Sequence, residues 1–149
     1  MASIPTITVL LPVLNAEDTL EAAVGSILGQ TEGDFELVAV NDGSTDRTGE
    51  LLTAFAHRDP RVRVLRHEER KGIVPALNDG LAVARGDYIA RMDADDTCAP
   101  ERLALQRAML DAAPELGLVG GCVAFGGSRE QNAGYALYVD WTNSLLDHG

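Results

Sequence analysis

The stretch Phe35-Glu36-Leu37-Val38-Ala39-Val40-Asn41-Asp42-Gly43-Ser44-Thr45-Asp46 decides the fold. From Phe35 to Val40 it is apolar on both faces apart from Glu36. A strand reads this way when it is buried on both sides, as in a parallel sheet. Asn41-Asp42-Gly43 stops it, with Gly43 providing a turn. Ser44 or Thr45 is placed to cap a following helix, and Asp46 favours that helix's N-terminus. The helix face would be Leu51, Leu52 and Phe55.

The same unit recurs on either side. Upstream, Ile7 to Leu11 is an apolar run ending at Pro12. Asn15 reads as the N-cap of a helix with Leu20, Ala23, Val24, Ile27 and Leu28 on one face. Downstream, Val62 to Leu65 is a short strand. A helix then starts near Gly72, with Pro75 in its first turn, where proline is tolerated. Tyr88 to Met92 is a fourth strand, Pro100 opens a helix containing Leu103 and Leu110, and Leu116 to Val123 is expected to be a fifth strand. Strands alternating with helices predict an α/β protein with a mostly parallel, doubly wound sheet. The rhythm changes after Phe125. Gly126-Gly127-Ser128 is a loop, and residues 136–146 predict a helix bearing Tyr138, Trp141 and Leu145, packed rather than used for sugar stacking. The expected division is therefore 1–125 and 126–149, and the chain reads as part of a longer domain.

Composition narrows the function. The chain has 149 residues, 46% hydrophobic and 23% charged, which is enough for a core and argues against disorder. Twelve Lys and Arg against 23 Asp and Glu give a net charge of −11, and Lys71 is the only lysine. Such a chain repels nucleic-acid backbones, so nucleic acid is not an expected partner. Cys98 and Cys122 are too few for a disulfide framework. They read as unpaired core or near-core residues in a reducing, cytoplasmic setting. No apolar run is long enough to span a membrane, and no secretory leader is visible. His57, His67 and His148 show no metal spacing and read as surface residues.

Ligands of open parallel sheets sit beyond the carboxyl ends of the strands, so polar residues there are the site candidates. Asp42 is one, placed to accept a hydrogen bond from a nucleobase N–H or a ribose hydroxyl. Asp93-Ala94-Asp95-Asp96 is the sharpest. Three carboxylates within four residues repel one another, and a hard divalent cation would resolve the conflict. An acidic loop leading into the helix at Pro100 is the alternative. Lys71-Gly72 opens a helix whose amides suit a phosphate; an exposed loop lysine is the other reading. Several rivals fail. There is no G-x-G-x-x-G after the first strand and no G-x-x-x-x-G-K-[ST]. A calcium hand starting at Asp93 would need glycine where Cys98 stands. Asp93-Ala94-Asp95-Asp96-Thr97 also fits the nucleophile motif of haloacid-dehalogenase-like phosphatases, but no lysine follows it.

Four segments in series resemble family 2 glycosyltransferases with the GT-A (Rossmann-like) fold. They are Ile7 to Asn15, Glu36 to Asp46, Lys71 to Asn78 and Gly86 to Asp96, with the resemblance spanning residues 5–125. It implies an inverting transfer of sugar from a nucleotide-sugar, a UDP-sugar by the family pattern, to a hydroxyl of a saccharide, lipid-linked or other acceptor. Asp42 would bind the base, and Pro12, Val13, Leu14 and Asn15 would line its pocket. Asp93 and Asp95 would form the D-x-D motif, with Asp95 the direct ligand of Mn²⁺ or Mg²⁺ and Asp93 nearer the ribose beside Ala94. Lys71 would assist the metal in offsetting diphosphate charge. Leu14 stands where the family often has an aromatic residue. The family's catalytic base lies well after the D-x-D motif, and neither Glu130 nor Asp140 carries a motif supporting that role. The alternatives are a haloacid-dehalogenase-like phosphatase using Asp93, and a non-catalytic nucleotide-binding module.

Overall fold

The structure, a computed structural model, describes residues 4–145. The chain divides into two compact units, Met1–Ala108 and Met109–Gly149. In the first, β1 (Ile7–Val13), α1 (Leu20–Leu28), β2 (Phe35–Asp42), α2 (Thr48–Arg58), β3 (Val62–His67), α3 (Ile73–Val83) and β4 (Tyr88–Arg91) alternate. Helix α4 (Arg102–Ala112) runs across the division, and α5 (Ala133–Ser144) belongs to the second unit. The sheet is wholly parallel, in the order β3-β2-β1-β4.

Period-2 alternation assigns the two faces of the sheet. Ile7, Val9, Leu11 and Val13 of β1 are buried with Leu20, Val24 and Ile27 of α1, Leu52 of α2 and Leu103 of α4. Leu10, Val38 and Val40 point the other way and meet Ala76, Leu77 and Val83 of α3. Burying each large aliphatic side chain contributes roughly 1.5–3 kcal/mol, so these two layers hold the sheet between its helices.

One polar cluster interrupts the α3 face at the amino ends of the strands. Glu36 is only 1% exposed. It accepts from Thr8 Oγ1 at 2.9 Å, Arg63 Nη1 at 2.9 Å and Arg85 Nε at 2.8 Å. Burial pushes its pKa up, but the hydrogen bonds from Arg85, Arg63 and Thr8 outweigh it and hold the value at about 2. Gly86 closes this end. A Cβ there would stand 2.4 Å from the Thr8 amide nitrogen, so only glycine fits.

Four expectations are corrected. Residues 116–123 form no strand. Gly117, Gly120 and Gly121 interrupt the segment, and glycine weakens a strand by adding entropy and removing packing. Asn15 does not cap α1, which starts at Leu20; it adopts φ 48°, the left-handed region that asparagine tolerates. His67 is buried, while Cys122 is exposed. His148 lies outside the described residues. In the second unit, Tyr138 and Trp141 pack on each other at 5.9 Å between ring centroids and are otherwise exposed. Among the described residues, no helix is long and apolar enough to cross a membrane.

Candidate active site

Beyond the carboxyl ends of the strands the connecting loops hold one another in place. Asn15 donates its backbone N–H to Ser44 Oγ (3.0 Å) and accepts at Oδ1 from the Thr45 amide (2.9 Å). The Ala16 amide donates to Thr48 Oγ1 at 2.8 Å, and the Glu17 amide to Asp46 Oδ2 at 3.2 Å. Asp46 Oδ1 takes the Thr48 amide at 3.0 Å just ahead of α2, whose N-cap position is Arg47, so neither Ser44 nor Thr45 caps the helix as expected. Thr19 Oγ1 donates to the Ala94 carbonyl at 2.8 Å, joining the start of α1 to the loop after β4.

These loops frame a cavity of about 510 Å³. In the strand order the chain moves from β1 outward to β2 and β3, while β4 lies on the other side of β1. The cavity opens at this reversal of direction, where ligands of doubly wound sheets bind. Pro12, Val13, Leu14 and Asn15 line it from β1 and the loop after it, and Asp42 lines it from the end of β2. Asp93, Ala94 and Asp95 contribute from the loop after β4. Eight of the sequence-predicted site residues therefore share one cavity.

Lys71 is not among the lining residues. Arg70 lines the cavity in its place, and Lys71 Nζ lies 3.3 Å from Asp79 Oδ2. The turn that separates these two cations sits against Gly43, whose φ is +73° and whose added Cβ would stand 2.5 Å from the Arg70 amide nitrogen. This contact brings the Lys71 and Gly72 amides to Asp42, each at 2.8 Å. His67 Nδ1 meets Asp42 Oδ1 at 2.7 Å. Burial raises the Asp42 pKa, and the bonds from His67, Lys71 and Gly72 lower it further, so the carboxyl is ionised well below neutrality.

The loop after β4 has a different electrostatic character. Arg91 Nη2 donates to Asp93 Oδ1 at 3.1 Å. Asp96 has a raised pKa, caused by burial first and then by the negative charges of Asp95 and Asp93. Among the described residues, no three His, Cys, Asp or Glu side chains gather closely enough to hold a metal by themselves. Asp93 and Asp95 both line the cavity and carry hard oxygen donors. That is the chemistry Mg²⁺ and Mn²⁺ accept when substrate phosphates complete the shell.

Sequence reasoning missed Asp18, Thr19 and Arg70 as cavity residues, and His67 as the partner of Asp42. For His67 a signal existed. It stands at the end of β3, and the parallel register sets it directly opposite Asp42.

Comparison with known proteins agrees with this arrangement. The family model described as glycosyl transferase family 2 matches residues 8–145. The uncharacterized glycosyltransferase EpsJ of Bacillus subtilis is 42% identical over 93 residues, 62% of this chain and 27% of that protein. The glycosyltransferase GlyG of Streptococcus pneumoniae is 44% identical over 90 residues, 60% of this chain and 30% of its own length. The chain thus spans under a third of these two relatives. Among solved structures, S. aureus TarS in complex with UDP-GlcNAc superposes with a TM-score of 0.67 at 27% identity, over 71% of this chain and 31% of that one. The mannosyltransferase PcManGT of Pyrobaculum calidifontis, in complex with GDP-Man and Mn²⁺, gives 0.69 at 29% identity, over 81% and 36%.

Proposed function

The chain belongs to glycosyl transferase family 2 and carries part of its GT-A fold, and on that premise we propose that it forms the donor side of an inverting transferase using a UDP-sugar. Residues 1–125 take the donor, and 126–149 begin the acceptor side. The observation that carries this reading is the shared cavity, which Asp42, Arg70, Asp93 and Asp95 all line. Its volume of about 510 Å³ falls within the ~300–1,000 Å³ of small-molecule sites. The nucleotide-sugar complexes of TarS and PcManGT support a donor of this class.

Each residue has a role that its surroundings suit. The walls from Pro12 to Asn15 exclude water around the base, and Asp42 accepts a base N–H. Asp95 and Asp93 would hold Mn²⁺ or Mg²⁺, and Asp93 also lies near the ribose. When bound, the cation offsets charge on the leaving diphosphate as a Lewis acid. Arg70 places a guanidinium on the same diphosphate, a bidentate match that lysine lacks. Transfer also needs a carboxylate to take the proton of the acceptor hydroxyl, a saccharide, lipid-linked or other alcohol. Asp140 is held at both oxygens by Arg129, at 3.0 and 2.7 Å, and Glu130 is exposed; neither is assigned the role. Family membership sets aside the phosphatase alternative.

Calorimetry with UDP and with uridine, each with Mn²⁺ and after chelation, tests the reading. UDP should lose at least tenfold in affinity on chelation, while uridine should be indifferent. Equal UDP affinity in both conditions would remove the metal role, and no binding of either ligand would remove the donor-site reading.

A further inference from the structure

His67 is the most buried titratable group near the cavity that the proposed chemistry leaves unused. Its side chain is 6% exposed and lies between two carboxylates. Nδ1 is 2.7 Å from Asp42 Oδ1, and Nε2 is 2.9 Å from Asp79 Oδ2. Asp79 Oδ2 also faces Lys71 Nζ. Both carboxyls have lowered pKa values and are ionised at neutral pH, Asp42 against its burial and Asp79 through hydrogen bonds from Lys71 and His67. An ionised carboxylate only accepts hydrogen bonds. Two such contacts on one ring require a hydrogen on each nitrogen.

The lone pairs of Asp42 can then be counted. Oδ1 receives His67 Nδ1 and the Lys71 amide, which fills both of its sites. Among the described residues, Oδ2 receives only the Gly72 amide. One acceptor site remains, on Oδ2, in a residue that lines the cavity. The formal charges of Asp42, His67, Asp79 and Lys71 sum to zero. Asp42 therefore offers a hydrogen-bond acceptor without adding net negative charge beside an anionic ligand.

We propose that His67 is a positioning residue for base recognition: as an imidazolium clamped between Asp42 and Asp79, it fixes the Asp42 carboxylate so that a single Oδ2 lone pair remains for a base that presents one ring N–H. The inference rests on Asp42 facing the base, and it adds a specificity rule. A pyrimidine with a protonated ring nitrogen fills the site. A base whose corresponding ring nitrogen is itself an acceptor meets lone pair against lone pair, so uridine is selected over adenosine and cytidine.

Two measurements test it. In the unmodified protein, ¹⁵N-resolved imidazole spectra should show both His67 nitrogens as protonated at neutral pH; an acceptor-type nitrogen would overturn the proposal without any variant. Second, uridine, cytidine and adenosine affinities are compared for the native protein, His67→Phe, Asp79→Asn and Asp42→Asn. His67→Phe should lower uridine affinity about tenfold and flatten the preference among nucleosides, the loss of a charge-assisted contact being large. Asp79→Asn should do the same to a smaller degree. A purely structural role would lower all three nucleosides together and leave their ratio intact. If Asp42→Asn leaves uridine binding unchanged, the base-site reading itself fails. If Asp42→Asn weakens it and a folded His67→Phe does not, only the present inference fails.

Discussion

Replacing Gly43 by alanine strikes the joint on which the cavity depends. Gly43 has φ +73°, and a left-handed L-residue costs roughly 1–2 kcal/mol. The added Cβ would also stand 2.5 Å from the Arg70 amide nitrogen and 2.5 Å from the Glu69 carbonyl carbon. These are main-chain atoms, so no rotamer change relieves the contact. Overpacking of this kind costs about 1–3 kcal/mol more. The sum, about 2–5 kcal/mol, is a large part of an ordinary domain's stability. At ~2–4 °C per kcal/mol for a chain of this size, the melting temperature should fall by about 5–20 °C. The backbone that must move carries the next two amides, those of Lys71 and Gly72, which hold Asp42. Uridine affinity should therefore fall about tenfold at a temperature where the variant is still folded. Gly33→Ala is the control, because a Cβ at Gly33 meets nothing within 4 Å. Thermal unfolding and calorimetry on the two variants decide the matter. A Gly43→Ala protein with native melting and native uridine affinity would refute the reasoning.

Arg70→Ala should weaken UDP about fivefold, a typical loss for a partly solvated charge contact, and leave uridine unchanged, whereas Lys71→Ala should keep UDP within about twofold; calorimetry on both variants checks it. Glu36 has a folded pKa of about 2 against an ordinary 4.5, so its contribution is complete above pH ~4.5 and is lost as the pH falls toward 2. That contribution is about 2–3 kcal/mol, held to this range because Arg63 and Arg85 are partly solvated, and urea unfolding of the native protein and Glu36→Gln should show a shallower acid slope in the variant.

The elements that sequence made legible are those whose burial is two-sided. β1 and β2 are apolar on both faces because helices cover both, and α1 shows one clean apolar stripe. Asp42, Asp93 and Asp95 were legible because strand order alone places strand-end residues around the crevice. What failed has a common cause. The segment 116–123 is apolar enough for a strand, but three glycines weaken it and its large residues Leu116, Leu118 and Val123 are exposed. His67 was unreadable as a lone histidine, since its meaning comes from β2–β3 register and from Asp79, a helical residue 12 positions away. Arg70 and Lys71 are adjacent cations with equal composition value. Only the backbone path from Glu69 to Gly72, where φ reaches +100°, decides which one faces the cavity.

The distribution of charge around the cavity separates two uses of the same side chain. An anionic donor of the proposed kind, approaching a chain of net charge −11, would meet four aspartates, Asp18, Asp42, Asp93 and Asp95, with Arg70 among them. Asp42 meets His67 from behind and accepts from two amides, so on the proposed reading its remaining lone pair would give a ligand a directional contact. The loop after β4 is different. Arg91 takes one oxygen of Asp93, and Asp96 is shifted upward by burial first and then by the negative charges of Asp95 and Asp93. A divalent cation gains most where negative charge is least compensated. On the proposed reading the cation would sit at Asp93 and Asp95, beside the diphosphate, and the base at Asp42.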